Sequence, residues 1–147
     1  MSEQTDQAKT LLENLLMKLG VSGAVTVHDG EPPTLSIESD DAQALIGPRG
    51  EVMRSLQHLV RVMLVRSGSN LPILVDVDGY RERQHEQLQV DARKRADEVA
   101  RTGRLAMLPP MSSYERRLVH MALAERDDVV TESIGQGGAR RLMIKKA

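Results

Sequence analysis

Two glycines three residues apart, Gly47 and Gly50, enclose Pro48 and Arg49 directly behind the apolar pair Leu45-Ile46. A helical apolar pattern follows, through Val52, Met53, Leu56, Leu59, Val60, Met63 and Leu64. Glycine lets the backbone turn sharply and lets a ligand approach with no side chain in the way. The first turn of the next helix offers free backbone N–H groups and the positive end of its dipole. A phosphate fits such a place. Arg49 supplies a cation, whereas Pro48 has no N–H to offer and stiffens the loop. The competing reading is a helix–turn–helix corner where glycine only permits the turn. No strand directly precedes the glycines and the dinucleotide and P-loop fingerprints are absent, so neither of those phosphate sites is expected.

A second group of residues lies downstream. Arg116 and His120 are four apart and share one face of a helix. They follow Leu108-Pro109-Pro110-Met111-Ser112-Ser113-Tyr114-Glu115 and precede Arg140-Arg141 on a later strand. A guanidinium beside an imidazole can bind a phosphate or stack on a base. The alternative is that Arg116 pairs with Glu115 or an Asp and that His120 is half-buried scaffolding. Catalysis finds little support. His28, His58, His85 and His120 lack metal-ligand spacing. Asp76 and Asp78 alternate at a strand end, as a Mg²⁺-binding pair would, but nothing else joins them. His120 has no nucleophile placed to act with it as a general base. No catalytic residue, metal site or cofactor is expected.

Composition restricts the ligand further. The 147 residues suffice for one domain or two small ones, and 40% hydrophobic with 28% charged residues describes a folded chain. No apolar run approaches the roughly 20 residues that span a bilayer, so membrane insertion is not expected. The polar start MSEQTDQAKT has no signal-peptide core, and there is no cysteine; both fit the cytoplasm. The net charge of −1 hides an asymmetry. Residues 1–45 carry 2 basic and 8 acidic side chains, and residues 46–147 carry 18 and 13. Such polarity suits a chain that turns one face to a polyanion. There is no Phe or Trp, and Tyr80 and Tyr114 are the only aromatics besides histidine. Folds that grip single strands mainly by stacking bases on aromatic platforms need more, so binding must rest on backbone, apolar and Arg contacts.

The elements that must position these residues are legible from periodicity. Leu11, Leu12, Leu15, Leu16 and Leu19 predict a helix over 5–19, stopped by Gly20. Strands are predicted at 21–27 and 34–37 around the turn 28–33. A short helix capped by Asp40 or Asp41 runs to Ile46, a longer one spans 51–66, and a third strand covers 72–77. The order is α-β-β-α-α-β. A long polar helix over about 80–101 leads to a second small module. It holds a short strand at 104–108, a helix from Ser112 with Glu115 as its capping-box partner, and strands at 129–133 and 140–145. The fold class is α+β, with one domain over 1–79 and a second over 80–147 that carries a three-stranded sheet.

The arrangement over residues 3–79 resembles a type II KH domain, whose hallmark is the loop Gly47-Pro48-Arg49-Gly50. The resemblance implies that about four nucleotides of a single strand are clamped there, with Ile46, Val52 and Met53 lining an apolar groove for the bases; the alternative for these side chains, Val52 and Met53 above all, is plain core packing. The segment around Arg116 and His120 is similar to the R-three-H domain, a binder of single-stranded nucleic acid, with Arg140 and Arg141 completing the grip. Both modules in this order, with Asp76-Val77-Asp78-Gly79-Tyr80-Arg81-Glu82-Arg83 between them, resemble the bacterial Jag family, also called KhpB. That resemblance implies a cytoplasmic protein binding single-stranded RNA, with single-stranded DNA as a second ligand. It implies post-transcriptional regulation tied to cell envelope growth and cell shape, and a small KH-only partner, KhpA, or a second copy of the chain. Many family members carry an extra N-terminal domain ahead of the KH helix, and many have a basic residue where Pro48 stands. Two grips on one chain make the second contact intramolecular, which tightens binding. Few base-reading groups are evident, so low sequence preference is expected. The rival reading is a protein–protein adaptor that uses the KH groove.

Overall fold

The computed structural model describes residues 2–147. The chain forms two compact units that divide between Arg81 and Glu82.

The first unit runs α1 (Glu3–Leu19), β1 (Ala24–His28), β2 (Thr34–Glu38), α2 (Ala42–Ile46), a 3-10 turn (Pro48–Gly50), α3 (Glu51–Arg66) and β3 (Leu74–Val77). It closes on the first residues of α4 (Tyr80–Thr102), which continues into the second unit. The Ser2 hydroxyl caps α1 by accepting the Thr5 N–H, and Gly20 ends it in the left-handed region at φ 73°. Val21 belongs to that ending, since its N–H reaches the Leu16 carbonyl, so β1 starts three residues later than the apolar pattern predicts. β3 starts at Leu74, not Pro72, because a proline cannot donate to a ladder. Asp41 holds the cap position of α2 without a side-chain bond there; its own N–H donates to the Ser39 hydroxyl.

β1 and β2 pair antiparallel with Val25 opposite Ile37, and β2 and β3 pair parallel with Leu35 opposite Val75. The parallel pair requires a long crossover, and that crossover is α2, the glycine turn and α3. Alternation sends Val25, Leu35, Ile37, Val75 and Val77 to one face, where Leu12, Leu16, Met53, Leu56, Val60 and Leu64 cover them. Side chains of α3 and α4 also reach the backbone at β3. The Gln57 carboxamide oxygen accepts the Val75 N–H at 2.9 Å, and Arg61 donates twice to the Ile73 carbonyl at 3.0 and 2.8 Å. Arg81 donates to the Val75 carbonyl at 3.1 Å and to Gln57 at 2.8 Å. Burial lowers the Arg81 pKa, and Arg54 and Arg61 nearby lower it further, against the opposing pull of Asp76.

In the second unit the rest of α4 is followed by β4 (Ala106–Met107), α5 (Ser113–Leu123), β5 (Val129–Ile134) and β6 (Arg141–Lys146). The strands form one antiparallel sheet in the order β4-β6-β5. Ala92, Ala96 and Val99 form the buried stripe of α4 and pack with Leu108, Val119, Leu123, Val129, Leu142 and Ile144. α5 opens on a full capping box, in which Ser112 accepts the Glu115 N–H and Glu115 accepts the Ser112 N–H.

Candidate nucleic-acid interface

The glycine loop is a tight turn in which three of four residues have positive φ: Gly47 at 71°, Arg49 at 56° and Gly50 at 76°. Gly47 donates to the Gln43 carbonyl at 2.9 Å, and Gly50 donates back to Gly47 at 3.2 Å. Both glycines are required sterically. A Cβ at Gly47 would overlap the Val52 side chain, and one at Gly50 would stand 2.8 Å from Tyr80 Cε1. Pro48 takes the first position of the 3-10 turn, where its missing N–H costs no helical bond.

Pro48 and Arg49 are exposed, Gly47 is half-buried and Gly50 is buried. What faces outward is therefore the Pro48-Arg49 tip. The Arg49 carbonyl accepts a bond from Arg54 Nη1 at 2.8 Å, which brings a second guanidinium to the loop. The Glu51 N–H is already taken by the Pro48 carbonyl, and the exposed Glu51 side chain places a negative charge at the dipole's positive end. Fewer donors remain at this helix start than the loop pattern alone implies.

The residues expected to line a groove separate. Met53 is 1% exposed and belongs to the core stripe with Leu56, Val60 and Leu64, which is the core-packing alternative to a groove role. Ile46 is 9% exposed and also joins the core, leaving only its margin at the surface. Val52 is half-buried against the core and against Gly47. The loop also involves Arg54, Glu51 and Tyr80, which sequence reasoning does not single out. For Arg54 a signal exists, as a cation on the first turn of α3; for Tyr80 there is none, since it lies thirty residues from the glycine it touches.

In the second unit, Arg116 forms no ion pair with an acid among the described residues. Its Nη1 donates to the Met111 carbonyl at 2.7 Å and its Nη2 to the Ser113 hydroxyl at 3.3 Å. Glu115 is occupied by the capping box. Met111 in turn donates its N–H to the Arg140 carbonyl at 3.2 Å, which fastens the start of α5 to the start of β6. His120 is exposed, and its Nδ1 shares a 2.6 Å hydrogen bond with the Thr131 hydroxyl. Arg140 Nε donates to the Ser133 hydroxyl at 2.8 Å.

Thr131 and Ser133 are two apart in β5, so their side chains leave the same face of the sheet, the face of Leu142 and Ile144 opposite them. Arg116, His120 and Arg140 therefore converge on one side of this unit. Arg141 does not join them. It alternates with buried Leu142 and Ile144 and lies on the other face of the sheet, where Lys145 pairs with Glu132 at 3.0 Å. Strand alternation thus separates Arg141 from Arg140, its neighbour in sequence, where all four residues were expected to share one side.

Among the described residues no group of three His, Asp or Glu is placed to hold a metal ion, and no helix is long and apolar enough to cross a membrane. Residues 86–146 match the R-three-H domain family. The chain is 36% identical over 143 residues to RNA-binding protein KhpB of Clostridium symbiosum, covering 95% of this chain and 64% of that protein. It is 35% identical over 132 residues to KhpB of Lactiplantibacillus plantarum, covering 88% and 41%. With KhpB of Bacillus subtilis it shares 32% over 142 residues, covering 94% and 68%. The chain thus spans less than two thirds of the first two relatives and just over two thirds of the third. On this similarity along nearly its whole length, the chain belongs to the KhpB family and carries an R-three-H domain in its C-terminal half.

Proposed function

We propose that this chain binds single-stranded RNA through two grips and is a binding protein, not an enzyme. The first grip is the Gly47–Gly50 loop of a type II KH domain over residues 1–79. The second is Arg116, His120 and Arg140 in an R-three-H domain over residues 80–147. The observation that carries the reading is the convergence of those three side chains in the segment that matches the R-three-H family. The relatives' shared name, RNA-binding protein KhpB, supports it. So does the exposed cation Arg49, held in a left-handed turn with Arg54 beside it.

Backbone contact dominates such binding, so RNA and single-stranded DNA compete and sequence preference is low. The cellular role we assign is cytoplasmic post-transcriptional regulation linked to envelope growth and cell shape, alone, as a pair of copies, or beside a KhpA-like KH partner. The test is fluorescence anisotropy with a labelled single-stranded RNA. Replacing Pro48 and Arg49 together by Asp should weaken binding while the circular dichroism spectrum stays unchanged. Unaltered affinity removes the loop from the mechanism, and absence of any RNA binding by the wild-type chain leaves the adaptor reading in its place.

A further inference from the structure

Both hydrophobic cores are built from aliphatic side chains and methionine, with Tyr80 packed only at the margin of the first. The other tyrosine, Tyr114, takes no part in a core and is 60% exposed on the outside of α5. It is not alone there. The His85 ring of α4 lies against it with centroids 5.1 Å apart and planes tilted by 51°. A tilted neighbour at this distance is a favourable aromatic arrangement that favours one orientation of the tyrosine ring. A ligand would meet a ring already biased toward one orientation.

The position around α5 connects this pair to the Arg116–His120 edge. At about 100° per residue, Arg117 falls roughly 60° round the helix from His120 and roughly 60° from Tyr114. Met121, 61% exposed, lies close to the line of Tyr114 about two turns further on. Going round α5, exposed Arg117 thus stands between exposed His120 and the ring of Tyr114. A cation flanked by an open aromatic face suits a phosphate followed by its base.

We infer that Tyr114, oriented by His85, is a stacking platform for one unstacked nucleobase, with Arg117 holding the adjoining phosphate. This rests on the RNA-binding reading above and adds a base contact to a grip otherwise made to the backbone.

The test uses the full chain labelled with 3-fluorotyrosine, which yields two ¹⁹F resonances; the Tyr80→Phe variant assigns them. The titrants are a ten-nucleotide oligouridylate and a strand of the same length with abasic sugars. The Tyr114 resonance should shift with the oligouridylate and stay in place with the abasic strand. Tyr114→Ala should weaken oligouridylate binding roughly tenfold, the loss of one stacked base, and Tyr114→Phe should bind close to wild type. The proposal is overturned if anisotropy shows RNA bound while the Tyr114 resonance does not move, if both strands shift it equally, or if Tyr114→Ala binds as wild type does. Absence of RNA binding by anisotropy overturns the underlying reading, and this inference with it.

Discussion

The α-carbon of Gly50 stands against the edge of the Tyr80 ring, so close that a methyl group there would lie 2.8 Å from Cε1. The end of the glycine loop is thereby fitted to the first residue of α4, and the loop's shape depends on a contact distant in sequence. Gly50 also sits at φ 76°, where a Cβ is strained whatever the space. Gly50→Ala should lower the unfolding free energy by about 1–3 kcal/mol through strain and overpacking. Urea titration measures it, and a variant as stable as wild type would show that the contact relaxes freely.

Arg116 and Arg117 are adjacent and equally charged but differently employed. Arg116 ties α5 to the Met111 carbonyl and the Ser113 hydroxyl, whereas Arg117 is exposed. Arg116→Ala should cost about 1.5–3 kcal/mol of stability, the scale of lost hydrogen bonds from a charged donor, and should also weaken RNA binding. Arg117→Ala should leave stability within about 0.5 kcal/mol. It should weaken RNA binding and make the salt slope of log affinity shallower by about 0.7, the release expected for one phosphate contact on a single strand. Equal stability loss in the two variants would contradict the tether assigned to Arg116.

Arg126 grips Asp128 with two bonds, at 2.9 and 2.7 Å, and reaches Asp97 on α4 at 2.7 Å. The bond from Arg126 holds the Asp128 carboxyl below its ordinary value. A depressed folded pKa stabilises above the unfolded value of about 3.9 and loses that contribution as pH falls through the folded value. Asp128→Asn should therefore melt below wild type at about pH 6, with the gap closing as pH falls below the unfolded value and through the depressed folded one. The gap is expected to be small, because exposed ion pairs are weak. A gap that persists unchanged in acid would assign it to something other than the carboxylate's charge.

Apolar spacing made most of the architecture legible. The 51–66 helix has the bounds its pattern predicts, and Ser112 with Glu115 announces the start of α5. Three features stayed hidden, each for a physical reason. Val21 reads as strand by composition but is used by the helix ending before it. Arg141 reads as a twin of Arg140 until alternation along β6 sends it to the opposite face. The partner of Arg116 is a backbone carbonyl, which no charge count can anticipate.

The bonds that Gln57, Arg61 and Arg81 make at Ile73 and Val75 bear on how the first unit meets other chains. β3 borders the sheet, and a bordering strand is a template on which foreign strands assemble, toward domain swapping or amyloid. Here the outward amide of Val75 and the carbonyls of Ile73 and Val75 are already satisfied from within the same unit. An invading strand would have to displace two guanidiniums and a carboxamide before gaining its first ladder bond. Any extension of this sheet is left to the β1 side, and the flank nearest α3 is protected against aggregation by the protein's own side chains.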